Sequence, residues 1–234
     1  SEGNSVSNQA DLFPKITEEG LNLLRQRIGV SIENTLEPWC YEATRDNIRH
    51  YAHGIGDDNP LWCNPEYASK TRYGTLVALP SFLFATNRII SGYVGGLPGV
   101  HAMWAGADWT WHKPVLRNDK ISTNAHLKDL IEHQTRFAGR AVQQIYHVEF
   151  FNQGGDLVAE ADSWCFRTDR DEARERGTKY KEVKAKPQRR YSDEELETFY
   201  QLYANEEVRG SKPRYWEDVT EGEELRPLPK GPMT

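Results

Sequence analysis

The segment of residues 51–67, with the sequence YAHGIGDDNPLWCNPEY, concentrates the groups that could do chemistry. Asp57 follows two closely spaced glycines and is surrounded by turn-forming residues, so its carboxylate is expected in a loop just past a helix end. A carboxylate held in this way can accept a proton from water or return one, if a second acid–base group lies within hydrogen-bond reach. The segment therefore predicts a ligand-contacting loop, with Asp57 as the candidate catalytic residue.

Helices are expected on both sides of this loop. Residues 44–53 predict a helix whose first turn either Thr44 or Asp46 can cap. The Asn-Pro pairs at 59–60 and 64–65 indicate two consecutive turns. A short helix is expected over residues 65–70, with Pro65 in its first turn.

The rest of the chain up to residue 170 predicts an α+β domain. A helix is expected over 17–29, and the apolar segment SFLFATNRII at 81–90 predicts a buried central helix. After His101 the apolar period changes to that of strands, which are expected in the segments 102–115, 120–134, 140–153 and 157–169. Turns are predicted at 136–139 and 152–155. Long consecutive strands after one helix favour an antiparallel sheet wrapped around that helix.

Composition excludes several classes of function. The 234 residues carry a net charge of -6, which does not favour binding to nucleic acid or to an anionic membrane. No apolar run is long enough to span a bilayer. The three cysteines form no CxxC pair, which argues against a disulfide framework or a zinc site and favours a reduced, cytoplasmic protein. No metal, phosphate-loop or dinucleotide motif is present, so no cofactor and no metal are predicted.

The order of these features resembles the MaoC-like dehydratases and R-specific enoyl-CoA hydratases, which have the hot-dog fold. The resemblance covers about residues 17–167 and is closest to the N-terminal, fatty-acid-synthase-like dehydratase domain of members with two hot-dog repeats. The residues that carry it are Tyr51, Ala52, Gly56, Asp57, Asn59, Pro60 and Leu61, followed by 66–68, 73–74, 113–115 and 152–155.

The motif departs from the family pattern at one position. In the family it continues as GDxNPxH, and the resemblance implies that the aspartate and the histidine together activate a water for hydration of an enoyl thioester. Here Trp62 stands at the histidine position. Tryptophan has one N–H donor and no basic atom. Asp57 is therefore expected to be a vestigial or partial member of the pair, or a structural loop residue that accepts hydrogen bonds from nearby N–H groups.

The resemblance implies the N-terminal, acyl-binding half of an enoyl-CoA hydratase (3-hydroxyacyl-CoA dehydratase). The catalytic Asp/His pair is then expected in a C-terminal repeat or a partner chain, and the protein in a homodimer or a heteromer. An acyl-CoA is the expected substrate. Candidate substrate-binding residues are Tyr51, Gly56, Asn59, Pro60, Trp62 and Trp109. The alternative is a non-catalytic hot-dog module that binds acyl thioesters or serves as a scaffold.

The domain organisation follows from the resemblance and from shifts in composition. Residues 1–15 are expected to be a disordered leader, and 16–170 the hot-dog domain. Residues 171–212 predict a charged linker and an amphipathic helix capped by Ser192. Residues 213–234 resemble the start of a second hot-dog repeat, or form a tail that contacts a partner.

Several other residues leave alternatives open. His101 and His112 flank an aromatic run, either as a replacement base for Asp57 or as ordinary strand histidines. Cys63 is expected to be an inert thiol because no adjacent base supports a nucleophile. Two further groups, one of tryptophans and one of basic residues, have two interpretations each. Trp104, Trp109 and Trp111 could line a pocket for a bulky or ring-bearing acyl group or belong to the core, and Arg72, Arg88 and Lys113 could meet CoA phosphates or be surface charges.

Overall fold

The computed structural model describes residues 14–32, 37–92, 95–136, 139–169, 190–207, 210 and 212–231. The chain divides into two compact units, Ser1–Lys181 and Glu182–Thr234. The expected leader falls almost wholly, and the most charged part of the expected linker entirely, outside the described residues.

The helices described in the first unit precede its sheet. They are α1 (Glu18–Arg25), α2 (Arg45–Gly54), α3 (Pro60–Cys63), α4 (Pro65–Ser69) and a 3-10 helix, η1 (Pro80–Ala85). The prediction of α2 with Thr44 as its cap is confirmed, because the Thr44 hydroxyl accepts from the N–H of Asn47 at 3.1 Å. The short helix predicted over 65–70 is confirmed as α4, and the first Asn-Pro pair, predicted as a turn, also begins a helix. Each asparagine caps a helix whose first residue is the proline, an arrangement that suits both residue types.

The predicted sheet is confirmed, with four antiparallel strands in the spatial order β1-β4-β3-β2. The strands are β1 (His101–Trp111), β2 (Ser122–Thr135), β3 (Gly139–Phe151) and β4 (Leu157–Thr168). The turn predicted at 152–155 joins β3 to β4, and the side chain of Asn152 accepts from the N–H of Gly154 at 2.9 Å. The turn predicted at 136–139 includes residues outside the described part of the chain.

One face of the sheet forms the core. Burial alternates along β3 and β4, as expected for strands with one face against a hydrophobic layer. Val148 and Phe150 from this face belong to the same buried cluster as Phe82 of η1 and Ile48 of α2. The α+β class, with an antiparallel sheet on a central helix, is therefore confirmed.

The central helix is shorter and tighter than predicted. A buried helix was expected over 81–90, but the structure has the 3-10 helix Pro80–Ala85 and then turns. The cause lies in two buried polar residues. The Thr86 hydroxyl donates to the carbonyl of Leu83, and the Asn87 side chain accepts from the N–H groups of Ile89 and Ile90 at 2.8 and 3.3 Å. Such local side-chain bonds compete with the helical pattern and end the helix.

The second unit contains one α-helix among its described residues, α5 (Asp193–Ala204). The predicted cap is confirmed, since Ser192 and Glu195 form a reciprocal capping box. Residues 216–218 form a second 3-10 helix, η2 (Trp216–Asp218), and no strand occurs over 212–231. The assignment of this segment to a second hot-dog repeat stays a prediction. Throughout the described chain, none of the helices has the length and hydropathy that crossing a bilayer requires.

The outer face of the sheet carries a polar network. His147 of β3 lies between two carboxylates of β4, with its Nδ1 2.8 Å from Asp162 and its Nε2 3.6 Å from Glu160. Lys128 of β2 also pairs with Asp162. Burial alone would raise the pKa of Asp162, but the hydrogen bonds and charges of Lys128 and His147 outweigh it and hold that pKa below 3.8.

We expect this network to make stability fall in acid. Because the folded pKa of Asp162 is lowered, its contribution is complete above about pH 4 and is lost as the pH falls through the lowered value. The variant Asp162→Asn should lose less than about 1 kcal/mol of unfolding free energy at neutral pH, since the group is partly exposed. Urea unfolding at neutral pH and at about pH 3 should show the two proteins converging in acid. Asp58→Asn, on an exposed loop carboxylate outside the network, is the matched control. A difference that persisted unchanged in acid would contradict this account.

Candidate functional site

The candidate loop is built by the end of α2. The N–H of Asp57 donates to the carbonyl of Ala52 at 2.8 Å, which turns the chain directly after the helix. Gly56 has a φ of 68°, a left-handed conformation that favours glycine. The Asn59 side chain accepts from the N–H of Leu61 at 2.9 Å and begins α3. These contacts fix the backbone on both sides of Asp57.

Asp57 itself is half-buried and is engaged within the loop. Its Oδ1 accepts from the N–H of Asn59 at 3.0 Å, a local side-chain turn of the kind expected for a structural aspartate. A carboxylate has lone pairs left after one such bond, so the group keeps acceptor capacity for a ligand or a water. Asp57 therefore has a structural role in the loop, and its carboxylate can still accept further hydrogen bonds.

A cavity of about 450 Å³ lies beside this carboxylate. Its described lining residues are Ile55, Asp57, Trp62, Leu79, Pro80, Ser81, Phe84, Trp104, Ala107, Trp109 and Trp111. Asp57 is the only titratable side chain among them, and most of the others are apolar. An apolar cavity with one well-placed polar group is typical of small-molecule sites.

Five of the eleven described residues that line the cavity are aromatic. Trp109 and Trp111 are stacked with an interplanar angle of 7° and a centroid distance of 5.4 Å. Phe84 of η1 packs against Trp109 at 5.1 Å and against Trp104 at 6.2 Å. Trp104 and Trp111 remain 46% and 49% exposed, which leaves the wall accessible at the mouth of the cavity.

The indole N–H groups of the wall fall into two pairs. Trp104 donates to the Ser163 hydroxyl at 3.0 Å and Trp111 to the carbonyl of Pro80 at 3.2 Å. The N–H groups of Trp62 and Trp109 are buried and have no hydrogen-bond partner. A buried donor without a partner costs about 1–3 kcal/mol, so two of them along one cavity point to a site shaped for more than packing.

The predicted site residues separate into two groups. Asp57, Trp62 and Trp109 come together around the cavity, although Trp109 is distant from the others in sequence. Tyr51, Gly56, Asn59 and Pro60 are not among its lining residues and instead build the loop. Tyr51 shows how, because its hydroxyl donates to the carbonyl of Ser81 at 2.6 Å and its ring meets Phe82 edge to face. It joins α2 to η1.

None of the histidines considered as a replacement base lines the cavity in the described residues. His112 pairs with Glu160 on the outer face of the sheet at 3.1 Å. A further histidine near the loop, His53 of α2, has its Nε2 3.8 Å from the sulfur of Cys63. Burial, and then the charges of Asp57 and Asp58, raise the pKa of the Cys63 thiol, so it is protonated at neutral pH and a poor nucleophile.

The basic residues considered for CoA phosphates are held by their neighbours. The Arg72 guanidinium lies over the ring of Tyr73 at 4.8 Å, and that of Arg88 over Trp39 at 3.9 Å. Lys113 pairs with Asp156 at 3.0 Å. No group of three or more His, Cys, Asp or Glu side chains within the described ranges is arranged to hold a metal ion.

Sequence reasoning missed Phe84 as a wall of the cavity. The expected ten-residue helix gave it no particular direction, whereas η1 turns it toward Trp104 and Trp109. It also did not predict that residues 79–81, where η1 begins, line the cavity. The expected place of Pro80 at the entrance of the central helix is confirmed, because it is the first residue of η1.

The fold is the hot-dog fold, as the sequence resemblance implied. A chain of the ChsH1–ChsH2 complex from Mycobacterium tuberculosis superposes with a TM-score of 0.51 and 16% identity, over 65% of this chain and 98% of that one. The R-hydratase PhaJ1 from Pseudomonas aeruginosa gives a TM-score of 0.45 and 18% identity, over 61% and 82% of the two chains. At these identities the likeness concerns the fold alone.

The family follows from the sequence. The model for the FAS1-like dehydratase domain region matches residues 27–161, more than half of the chain, and the chain belongs to this family. A UPF0336 protein of Parafrankia sp. (strain EAN1pec) is 30% identical over 128 residues, which span 51% of this chain and 80% of the relative. The resemblance to MaoC-like dehydratases is thereby confirmed.

Proposed function

We propose that this chain is the acyl-binding half of an enoyl-CoA hydratase (3-hydroxyacyl-CoA dehydratase), and that the catalytic Asp/His pair comes from a second hot-dog repeat or a partner chain. One observation carries the proposal. Among the described residues that line the cavity beside the dehydratase-like loop, Asp57 is the single titratable side chain, and Trp62 stands at the position where the family pattern has histidine.

The chemistry explains why a second acid–base group is needed. Hydration of an enoyl thioester requires one group to take a proton from water and another to help deliver a proton to the α-carbon. Asp57 can accept a hydrogen bond from water, but the indole of Trp62 has no basic atom. The cavity is thus suited to hold an acyl group and lacks the pair that would hydrate it.

Two features support assembly with another hot-dog unit. Within the described residues, β1 pairs with β4 on one side and with no strand on the other, so its opposite edge is available for pairing. The solved chain that superposes with a TM-score of 0.51 belongs to the ChsH1–ChsH2 complex. A homodimer or a heteromer that binds an acyl-CoA agrees with both features.

The second candidate function is a non-catalytic module that binds acyl thioesters. The bond from the Asn59 N–H to Asp57 favours it, because a carboxylate committed to its own loop needs no catalytic role. The two candidates share the cavity and differ in whether a second chain or repeat completes a hydratase.

We expect that the purified chain alone does not hydrate a trans-2-enoyl-CoA. Hydration should appear when a hot-dog protein that carries GDxNPxH is added. Such a protein would be found as a copurifying chain or encoded directly after this sequence. The physical reason is the missing base at residue 62. Loss of the ultraviolet absorbance of the enoyl thioester measures the reaction. The added protein assayed without this chain is the control.

The outcomes separate the two candidates. Activity that requires both components supports the split hydratase. Acyl-CoA binding with no turnover in any mixture favours the binding module. Activity of this chain alone, abolished in Asp57→Asn, would overturn the proposal that it lacks a complete catalytic set.

A further inference from the structure

The cavity walls point to a class of acyl group. We infer that the cavity selects flat, ring-bearing acyl groups over straight chains of the same carbon number. This inference rests on the proposed acyl-binding function and adds the substrate class to it. Its basis is the arrangement of the tryptophans and phenylalanine that line the cavity, together with the size of the residues opposite them.

The aromatic rings present faces and edges at defined angles. Trp109 is nearly parallel to Trp111 and also stacks on Phe150 of the core, with an interplanar angle of 23°. Phe84 packs edge to face against Trp104, with an interplanar angle of 86°. Aromatic pairs prefer offset-stacked and edge-to-face contacts, so walls of this kind favour a second planar ring. A straight alkyl chain gains only contact area from them.

Small residues opposite the tryptophans keep this space open. In the pairing of β1 with β4, Trp109 lies opposite Ala161, Trp111 opposite Ala159 and Trp104 opposite Cys165. Larger side chains at these β4 positions would crowd the indoles. The alternation of large residues on one strand with small residues on the next lets the rings lie over the sheet and form a wall.

The polar atoms of the wall agree with a ligand that carries an oxygen. Two indoles, Trp104 and Trp111, are fixed by hydrogen bonds to the protein. The N–H groups of Trp62 and Trp109 are buried without a partner, in a cavity that also holds a carboxylate acceptor. Both nitrogens are covered by the surrounding atoms, so a ligand acceptor would have to displace part of the wall to reach them. An acyl group bearing a carbonyl or hydroxyl oxygen supplies such an acceptor.

Direct binding of two matched thioesters tests the inference. Cinnamoyl-CoA and trans-2-nonenoyl-CoA have the same number of acyl carbons and the same enoyl thioester, and differ in the ring. We expect isothermal titration to give a dissociation constant about tenfold lower for cinnamoyl-CoA, the ratio that one to two aromatic stacking contacts produce.

Three variants assign the preference to this cavity. Trp109→Leu removes the central stacked ring and should bring the two dissociation constants to within about twofold of each other. Trp109→Phe keeps an aromatic wall without the unpartnered donor and should retain most of the ring preference. Trp39→Leu changes an exposed tryptophan that is not among the lining residues and should leave the preference intact. Circular dichroism checks that each variant is folded.

Each result has a distinct meaning. A ring preference that Trp109→Leu abolishes and Trp39→Leu retains supports the inference. Equal affinities, or tighter binding of the nonenoyl thioester, overturn the ring selectivity while the acyl-binding function stands. A preference that survives Trp109→Leu overturns its assignment to this wall. Binding of neither thioester overturns the inference together with the proposed function.

Discussion

The variant Trp62→His is expected to hydrate a trans-2-enoyl-CoA without any second chain. The substitution places histidine where the family motif has it, and Asp57 already lines the same cavity. General acid–base catalysis by a positioned group contributes about 10²–10⁴ in rate, so turnover should rise by that order over a variant without a base. The assay is the loss of enoyl-thioester absorbance with purified protein.

Two further variants identify the source of this activity. Trp62→Gln makes a cavity of similar size with no basic atom and should remain inactive. The double variant Trp62→His with Asp57→Asn should lose what the histidine gained. If a folded Trp62→His protein binds the thioester and is no more active than Trp62→Gln, then Asp57 is not placed for catalysis. Asp57 would then have only the structural role of accepting the hydrogen bond from the Asn59 N–H.

The second large effect is expected at Arg167, which is 3% exposed and bonded to neutral oxygens. Its guanidinium donates to the Gln144 side chain at 3.0 Å and to the carbonyls of Val100 at 2.8 Å, Leu97 at 3.1 Å and Gly95 at 3.2 Å. Arg167→Met fills similar space but removes all four bonds, and it leaves the side-chain oxygen of Gln144 and the carbonyl of Val100 buried without this donor. The carbonyls of Leu97 and Gly95 keep the bonds that they accept from the Val100 N–H and from the Gln144 amide. We expect a loss of about 3–5 kcal/mol in the free energy of unfolding, measured in urea.

Two further variants separate the effect of the Arg167 hydrogen bonds from the effect of losing a positive charge. Arg167→Lys retains the charge with fewer and less directional donors, so its loss should be intermediate. Arg25→Met removes a half-exposed partner of Glu132 and should cost less than about 1 kcal/mol. A cost for Arg167→Met no larger than that for Arg25→Met would show that the loop of residues 95–100 does not depend on this side chain.

The sequence predicted the parts of the fold that local signals decide. The Thr44 cap, the four strands and the turn at 152–155 depend on neighbouring residues, and the structure contains each of them. The prediction of a ten-residue central helix was wrong for a local reason that the apolar pattern of the segment does not show. Thr86 and Asn87 are buried with the apolar residues around them, but their side chains bond to the backbone and end the helix.

The candidate site was predictable only in part. The loop motif identified Asp57 and Trp62, and alternation along one strand placed Trp109 and Trp111 on the same face. Tyr51 and Asn59 belong to the same motif but support the loop instead of lining the cavity, a distinction that needs the directions of their side chains. The position of Trp104 depends on an irregularity of β1 that strand alternation does not reveal.

That irregularity is a bulge between Trp104 and Gly106, where Ala105 is an extra residue relative to β4. In a regular strand, Trp104 and Trp109 would point to opposite faces, since successive side chains alternate. The bulge returns Trp104 to the side of the cavity, and Gly106 accommodates the ring of Trp164, which would come within 2.7 Å of any added Cβ. Loss of one residue here would carry Trp104 to the outer face and widen the cavity mouth. An insertion or deletion of a single residue at this point would thus change the size of the cavity mouth while the buried face of β4 stays the same.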